Sequence, residues 1–280
     1  MNKKYKIGNF TIKINSPINF SETESCSLFS YSGNSTDYNI RINFTNTFPD
    51  VISNSLYETD DRIYFIENGS ICCYYKSHEK EDISFYACRK SEKNTINILI
   101  DEKYQDLLRS DVIFSLTGIE ELIIKNNGIV LHASCVVRNN EAVLFTGPCS
   151  IGKSTQADLW KRYGDAVIIN GDKALITKKN GGFFVEGFPF SGSSKDCLNI
   201  SAPLKAIICL DKGKENRISR IYTPKSFYRI YRNCYPVQFS HELTNSLIDL
   251  VSEISSQIPV YEYSCLPDES SVRYLEQELK

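Results

Sequence analysis

The chain has 280 residues, of which 41% are hydrophobic and 24% charged, with a formal net charge of −2. That composition suits a globular fold of one large or two modest domains. The charge balance excludes an electrostatic reason to expect nucleic acid or an acidic membrane surface as partner, and no basic run reads as a binding tail.

The start, Met1-Asn2-Lys3-Lys4-Tyr5, is basic but runs into alternating polar and apolar residues, not the continuous apolar stretch of a signal peptide. No segment approaches the ~20 apolar residues of a membrane helix. The expectation is a cytoplasmic protein without a membrane partner. Its ten cysteines are scattered except for Cys72-Cys73, with no CxxC pair and no zinc spacing, and are expected to be reduced, mostly buried thiols.

The first part of the chain reads as strands. Apolar residues alternate at Phe10, Ile12 and Ile14, at Ile40, Ile42 and Phe44, and at Ile96, Ile98 and Ile100. Turn residues such as Ser32-Gly33-Asn34 and Glu67-Asn68-Gly69-Ser70 separate these runs. A β-rich domain over 1–108 is expected, serving substrate contact, packing or self-association into a homo-oligomer. A second domain is expected over 109–280. There Val112, Ile113, Leu116, Ile119, Leu122 and Ile123 form a helical stripe, with Ser110 as its cap. After the turn Asn126-Asn127-Gly128, strands are predicted over 129–137 and 142–146, joined by Arg138-Asn139-Asn140-Glu141. Towards the end the pattern predicts a helix over 242–255, a strand over 260–263 and a helix over 270–279.

The segment that carries chemistry is Gly147-Pro148-Cys149-Ser150-Ile151-Gly152-Lys153-Ser154-Thr155, which matches G-x-x-x-x-G-K-[ST]. An apolar strand precedes it and a helical segment follows, which is the context a phosphate-binding loop requires. Glycines let the backbone approach phosphate, and successive N–H groups at the helix start face the anion. Lys153 is placed to reach the terminal phosphates, and the Ser154 hydroxyl to hold Mg²⁺. Next, Val167-Ile168-Ile169-Asn170-Gly171-Asp172 is an apolar strand running into a carboxylate. Asp172 there can hold the metal or accept a proton from an attacking hydroxyl, against the plainer reading of a surface residue closing a strand. His132 lies in a strand expected to pair with the one feeding the loop. It is read either as a packed histidine or as a group near the phosphates.

These residues resemble the HPr kinase/phosphorylase-like P-loop proteins, related in fold to ATP-dependent phosphoenolpyruvate carboxykinase. The resemblance runs over about 116–210: Leu131-His132-Ala133, the loop, the early Asp172, Gly187-Phe188-Pro189, and the run from Pro203 to Leu210. It implies an α/β protein, a β-rich N-terminal domain followed by a P-loop domain with a mixed sheet flanked by helices. It also implies ATP (or another nucleoside triphosphate) and Mg²⁺ as cofactors, with γ-phosphate transfer to a serine-type hydroxyl. In that reading Lys153 and Ser154 bind phosphate and Mg²⁺, Asp172 is the base or metal carboxylate, and His132 assists. The acceptor is expected to be a peptide, a protein or a small molecule carrying a hydroxyl.

There are departures. The family often has two adjacent aspartates where this chain has Gly171-Asp172, and Pro148-Cys149 replaces residues that are usually small. The longer HPr-recognition loop has no counterpart. Glu186 is a further acid, read either as metal-linked or as a strand-end residue. Two other readings stay open: a nucleotide-binding regulatory protein without transfer activity, and a small-molecule kinase or carboxykinase-like enzyme.

Overall fold

The structure, a computed structural model, describes residues 1–48, 55–77, 84–192 and 194–280. Two compact units divide it: Met1–Ile119 with Gln238–His241, and Glu120–Val237 with Glu242–Lys280. The boundary expected from sequence lay at 108; the units divide after Ile119.

In the first unit the period-two runs become strands with one buried face. β1 (Asn2–Ile7) and β2 (Phe10–Asn15) form a hairpin, and the short α1 (Glu24–Ser27) leads to β3 (Tyr38–Thr45). Then follow β4 (Tyr57–Glu58), β5 (Arg62–Glu67), β6 (Ser70–Ser77), β7 (Ser84–Glu92) and β8 (Thr95–Asp101). The sheet order is β1-β2-β3-β8-β7-β6-β5-β4, with β2, β3 and β8 mutually parallel and the rest antiparallel. Ile12, Ile14, Ile40, Ile96 and Ile98 are all at most 2% exposed. Each buried side chain of this size contributes roughly 1.5–3 kcal/mol by leaving water.

Helix α2 (Ser110–Thr117) belongs to this unit. Phe114 packs edge-on against Tyr5 at 5.0 Å. The buried Arg89 Nη1 donates to Thr117 O at 2.8 Å, and Tyr75 Oη donates to Leu116 O at 2.9 Å. Those bonds satisfy last-turn carbonyls that a helix leaves open. Two expectations are corrected here. Ser110 does not cap the helix: Arg109 occupies the N-cap without a side-chain bond, and Ser110 Oγ accepts from Thr23 N at 3.0 Å. Nor is the stripe one helix, because Gly118 at φ 68° ends α2 and α3 (Ile119–Lys125) starts afresh.

The second unit is built on two long strands. They are β9 (Gly128–Arg138), which turns through Asn139 and Asn140 at φ 51° and 62° into β10 (Glu141–Thr146), and β14 (Ser201–Lys212). Two asparagines at positive φ are the residues a tight hairpin of this hand selects. Between them lie α4 (Lys153–Tyr163), β11 (Val167–Asn170), β12 (Lys173–Lys179) and β13 (Gly182–Glu186). After β14 come β15 (Arg217–Ile221), α5 (Lys225–Tyr231), α6 (His241–Gln257), β16 (Val260–Cys265) and α7 (Glu269–Glu278).

The first halves of β9 and β14 pair with β12 and β13 in an antiparallel sheet. Their second halves flank β10, with β10, β14 and β16 parallel and β11 on the far side of β9. Helices α4 and α7 cover one face through Val136, Phe145, Trp160, Ile208, Leu210, Tyr263, Val272 and Leu275. The molecule is thus an α/β protein with a β-rich first unit and a second unit whose mixed sheet is flanked by helices.

Candidate functional site

Strand β10 is apolar because it is central in the sheet, and it delivers the chain at Thr146 into the tight loop 147–152 before α4 begins. Gly147 sits at φ 147° and Gly152 at φ 112°, conformations that a side chain disfavours. A Cβ on Gly147 would also meet Ile151 Cγ2 at 3.2 Å and Leu210 O at 3.3 Å. Gly152, at the N-cap of α4, offers no side-chain acceptor, so the first-turn N–H groups face outward uncapped. Pro148, Cys149, Ser150, Ser154 and Thr155 are exposed around that end, while Ile151 tucks inward against the core. Uncapped N–H groups at a helix start behind a glycine-bounded loop are the kind of environment that can take an anion.

Lys153 is 8% exposed and folds back over the loop. Its Nζ donates to Gly147 O and Pro148 O, both at 3.1 Å. Burial lowers its pKa from the ordinary lysine range, opposed by the fields of Cys149 and Asp172. The ammonium is thus partly desolvated and rests on two backbone carbonyls.

The early aspartate reaches the same place from the other side of β9. Thr146 pairs with Ala133 across the β9–β10 hairpin, and Ala133 N donates to Asp172 O at 3.0 Å. His132 Nε2 stands 3.2 Å from Asp172 Oδ1. Its pKa is lowered, by burial first and by Lys153 next, against the raising effect of Asp172. A lowered pKa favours the neutral imidazole, in which an Nε2–H can donate to the carboxylate. Lys153, Cys149, His132 and Asp172 form one neighbourhood.

Two positioning residues escape a sequence reading. Asn170 is fully buried; its Oδ1 accepts from Asp172 N at 3.0 Å and Lys173 N at 2.8 Å. Its Nδ2 donates to Phe188 O at 3.0 Å and Phe190 O at 2.9 Å. One amide thus holds both the turn that carries Asp172 and the segment that passes over it. The signal was the Asn-Gly-Asp triplet, a turn-forming sequence placed directly after an apolar strand. The second residue is Gly192, where a Cβ would lie 2.6 Å from Asp172 Oδ2. Nothing in the sequence brings positions 172 and 192 together.

Gly171 has its own tertiary reason. A Cβ there would stand 2.2 Å from Ser194 Oγ, so the space a second adjacent aspartate would need is filled. Glu186 is engaged elsewhere: its Oε1 accepts from Thr177 and Ser201, each at 3.0 Å, and pairs with Lys179. That network between β12, β13 and β14 accounts for the residue, and the metal-linked reading of Glu186 is set aside.

Among the described residues, no three or more His, Cys, Asp or Glu side chains stand together as a metal cage. Mg²⁺ needs none where a phosphate shares the ion, because one or two protein oxygens suffice. The exposed Ser154 hydroxyl and the Asp172 carboxylate are hard oxygen donors of that kind, beside a loop shaped for phosphate. Among the described residues, no helix is long and apolar enough to cross a membrane. All ten cysteines are free, and Cys149 alone is exposed.

The loop 147–152, Lys153 and the Asp172 carboxylate stand in one neighbourhood on an α/β unit. No protein-family model matches the chain, and no curated protein matches it. Among solved structures it is similar to the Hpr(Ser) kinase/phosphatase from Coxiella burnetii, at 14% identity and a TM-score of 0.31, over 54% of this chain and 92% of that one.

Proposed function

We propose that this chain is a Mg²⁺- and ATP-dependent kinase that transfers the γ-phosphate to a hydroxyl, that of serine in a peptide or protein. The observation that carries this reading is Lys153 folded over the loop 147–152 with the paired His132 and Asp172 in its neighbourhood.

In this reading the loop N–H groups and the α4 N-terminus bind the phosphates. Lys153 exchanges its two carbonyl partners for terminal phosphate oxygens, which offer full negative charge in place of dipoles. Ser154 and Asp172 are the groups that would hold Mg²⁺, which supplies neutralisation of charge on the phosphates. Asp172, steadied by His132 Nε2–H and by Asn170, accepts the acceptor's hydroxyl proton. The acceptor oxygen forms its bond to γ-phosphorus while the bond from the bridging oxygen to γ-phosphorus breaks, leaving the nucleoside diphosphate.

A second reading, a nucleotide-binding regulatory protein without transfer, is favoured by one observation: position 171 has neither a carboxylate nor room for one. Asp172→Asn tests what Asp172 does in the kinase reading, because it keeps shape and removes charge and basicity. If Asp172 is the base, ATP still binds and transfer falls by roughly 100-fold or more. If it is chiefly a metal ligand, nucleotide affinity falls too and added Mg²⁺ partly restores activity. Unchanged transfer would remove Asp172 from the mechanism. Absence of transfer in the wild type with every hydroxyl acceptor offered, alongside tight ATP binding, would favour the regulatory reading.

A further inference from the structure

Strand β10 begins at Glu141 and ends at Thr146, where the phosphate loop starts. Its two ends lie about 17 Å apart at roughly 3.4 Å per residue. Beside the Glu141 end, the β9–β10 hairpin, α4 and the last turn of α7 line a cavity of about 220 Å³. Lys153, His132 and Asp172 take no part in it.

Trp160 forms part of the cavity wall and is 3% exposed. Its ring packs on Phe145, with centroids 6.0 Å apart. Its indole Nε1–H has no acceptor among the described residues. Leaving a buried donor unpaired is costly, so native proteins rarely do it. The rest of the wall is mixed. Val136, Val143 and Leu279 supply apolar surface. Arg138, Lys205 and Lys280 face Glu141 and Glu276, a formal charge of +1 on the lining. Arg138 Nη1 stands 2.8 Å from Glu276 Oε1, and Lys205 Nζ 2.6 Å from Glu141 Oε2. Those pairs leave Lys280 as the cation in excess on this wall. A single water, which takes about 30 Å³, satisfies the indole but does not fill the space. An anionic oxygen answers the open donor and the excess cation together, and a short hydrocarbon part answers the valines and Leu279.

We propose that this cavity binds a small organic carboxylate, one oxygen accepting from Trp160 Nε1–H in the field of Lys280 and the hydrocarbon part resting on Val136, Val143 and Leu279. The site is separate from the phosphate loop, and the inference does not depend on the kinase reading.

Trp160 is the chain's single tryptophan, so the intrinsic tryptophan emission of the full chain reports this wall. Titration with acetate, butyrate and benzoate is expected to change that emission saturably for at least one of the three. The uncharged amide of the same acid should bind about 10-fold or more weakly, and so should inorganic phosphate, which has no hydrocarbon part. Trp160→Phe keeps an aromatic ring and removes the N–H. Calorimetry on that variant should show the carboxylate affinity down by about 10-fold, the scale of one hydrogen bond to a charged group. Lys280→Gln alters an exposed position, keeps the fluorophore, and should weaken binding in the same direction, which decides the matter if Trp160→Phe fails to fold. The carboxylate still binds with Mg-ATP present. No saturable response to any of the three carboxylates overturns the proposal, as does unchanged affinity in the folded variants. Phosphate binding as tightly as the carboxylates would mean an adventitious ion only and overturns it too. Strict competition with Mg-ATP would place the carboxylate on the loop and overturn the separate site.

Discussion

Cys149 is the exposed thiol, and burial holds back most of the other cysteines. Burial pushes Cys88, Cys209 and Cys234 up to about 12 and Cys265 to about 11, which suppresses their thiolates. Alkylation at neutral pH is therefore expected at Cys149 first, and Mg-ATP seated on the loop should shield it. Mass-spectrometric mapping reads this directly, and equal labelling with and without Mg-ATP would count against nucleotide on the loop. Lys153 offers a second residue-scale test. Hydrogen bonds to a charged group are worth ~1.5–3 kcal/mol, so Lys153→Ala should weaken ATP binding by at least roughly tenfold. Calorimetry showing wild-type affinity for the variant would sink the phosphate role of Lys153.

At the scale of elements, the junction of β10 and α4 depends on backbone geometry more than on contacts. A Cβ on Gly152 would meet nothing, so any cost of Gly152→Ala comes from its φ of 112°. Strain of that kind costs about 1–3 kcal/mol. The variant should melt at lower temperature and bind nucleotide more weakly; unchanged values in both would show that the loop relaxes freely. The turn after β11 makes the opposite case. Gly171→Asp should destabilise because Ser194 occupies the space, and pairing it with Ser194→Gly should recover part of the loss. Additive effects in that double-variant cycle, measured by chemical denaturation, would show that the two positions do not compete.

For the whole molecule, His132 ties stability to pH. Its pKa in the folded chain lies below the ordinary value of about 6.5, so the unfolded chain takes up the proton first as pH falls. The stability linked to His132 is fully present above that ordinary value and declines as pH drops through the lowered one. His132→Gln should flatten the fall in denaturation midpoint between neutral and mildly acidic pH, and identical slopes in both proteins would remove the linkage. A separate loss is expected at lower pH from Glu262. Burial raises its pKa, but hydrogen bonds from Lys225 and Arg229 outweigh that and hold it below the usual glutamate value. Stability from that carboxylate is present above its unfolded pKa and is lost as pH falls towards the folded one.

Local patterns in the amino-acid sequence determined the strands and the loop. Ile12, Ile40 and Ile98 alternate because each strand has one wet face, and loop, lysine and hydroxyl are consecutive because the P-loop is a local structure. The hairpin linking His132 to the loop strand was legible for the same reason, since its turn residues are adjacent. Packing between distant segments decided the rest. Arg89 and Tyr75 draw α2 onto the first sheet, and Gly118 breaks a stripe that periodicity alone would continue. Sequence named Asp172 as a candidate, but its fixed place came from Asn170, from Gly192 pressed on its carboxylate, and from a strand register that sets it beside His132. Gly171 reads as a missing acid until Ser194 is seen in its space. Those relations depend on which segments meet, and no spacing along the chain encodes a neighbour that arrives from another strand.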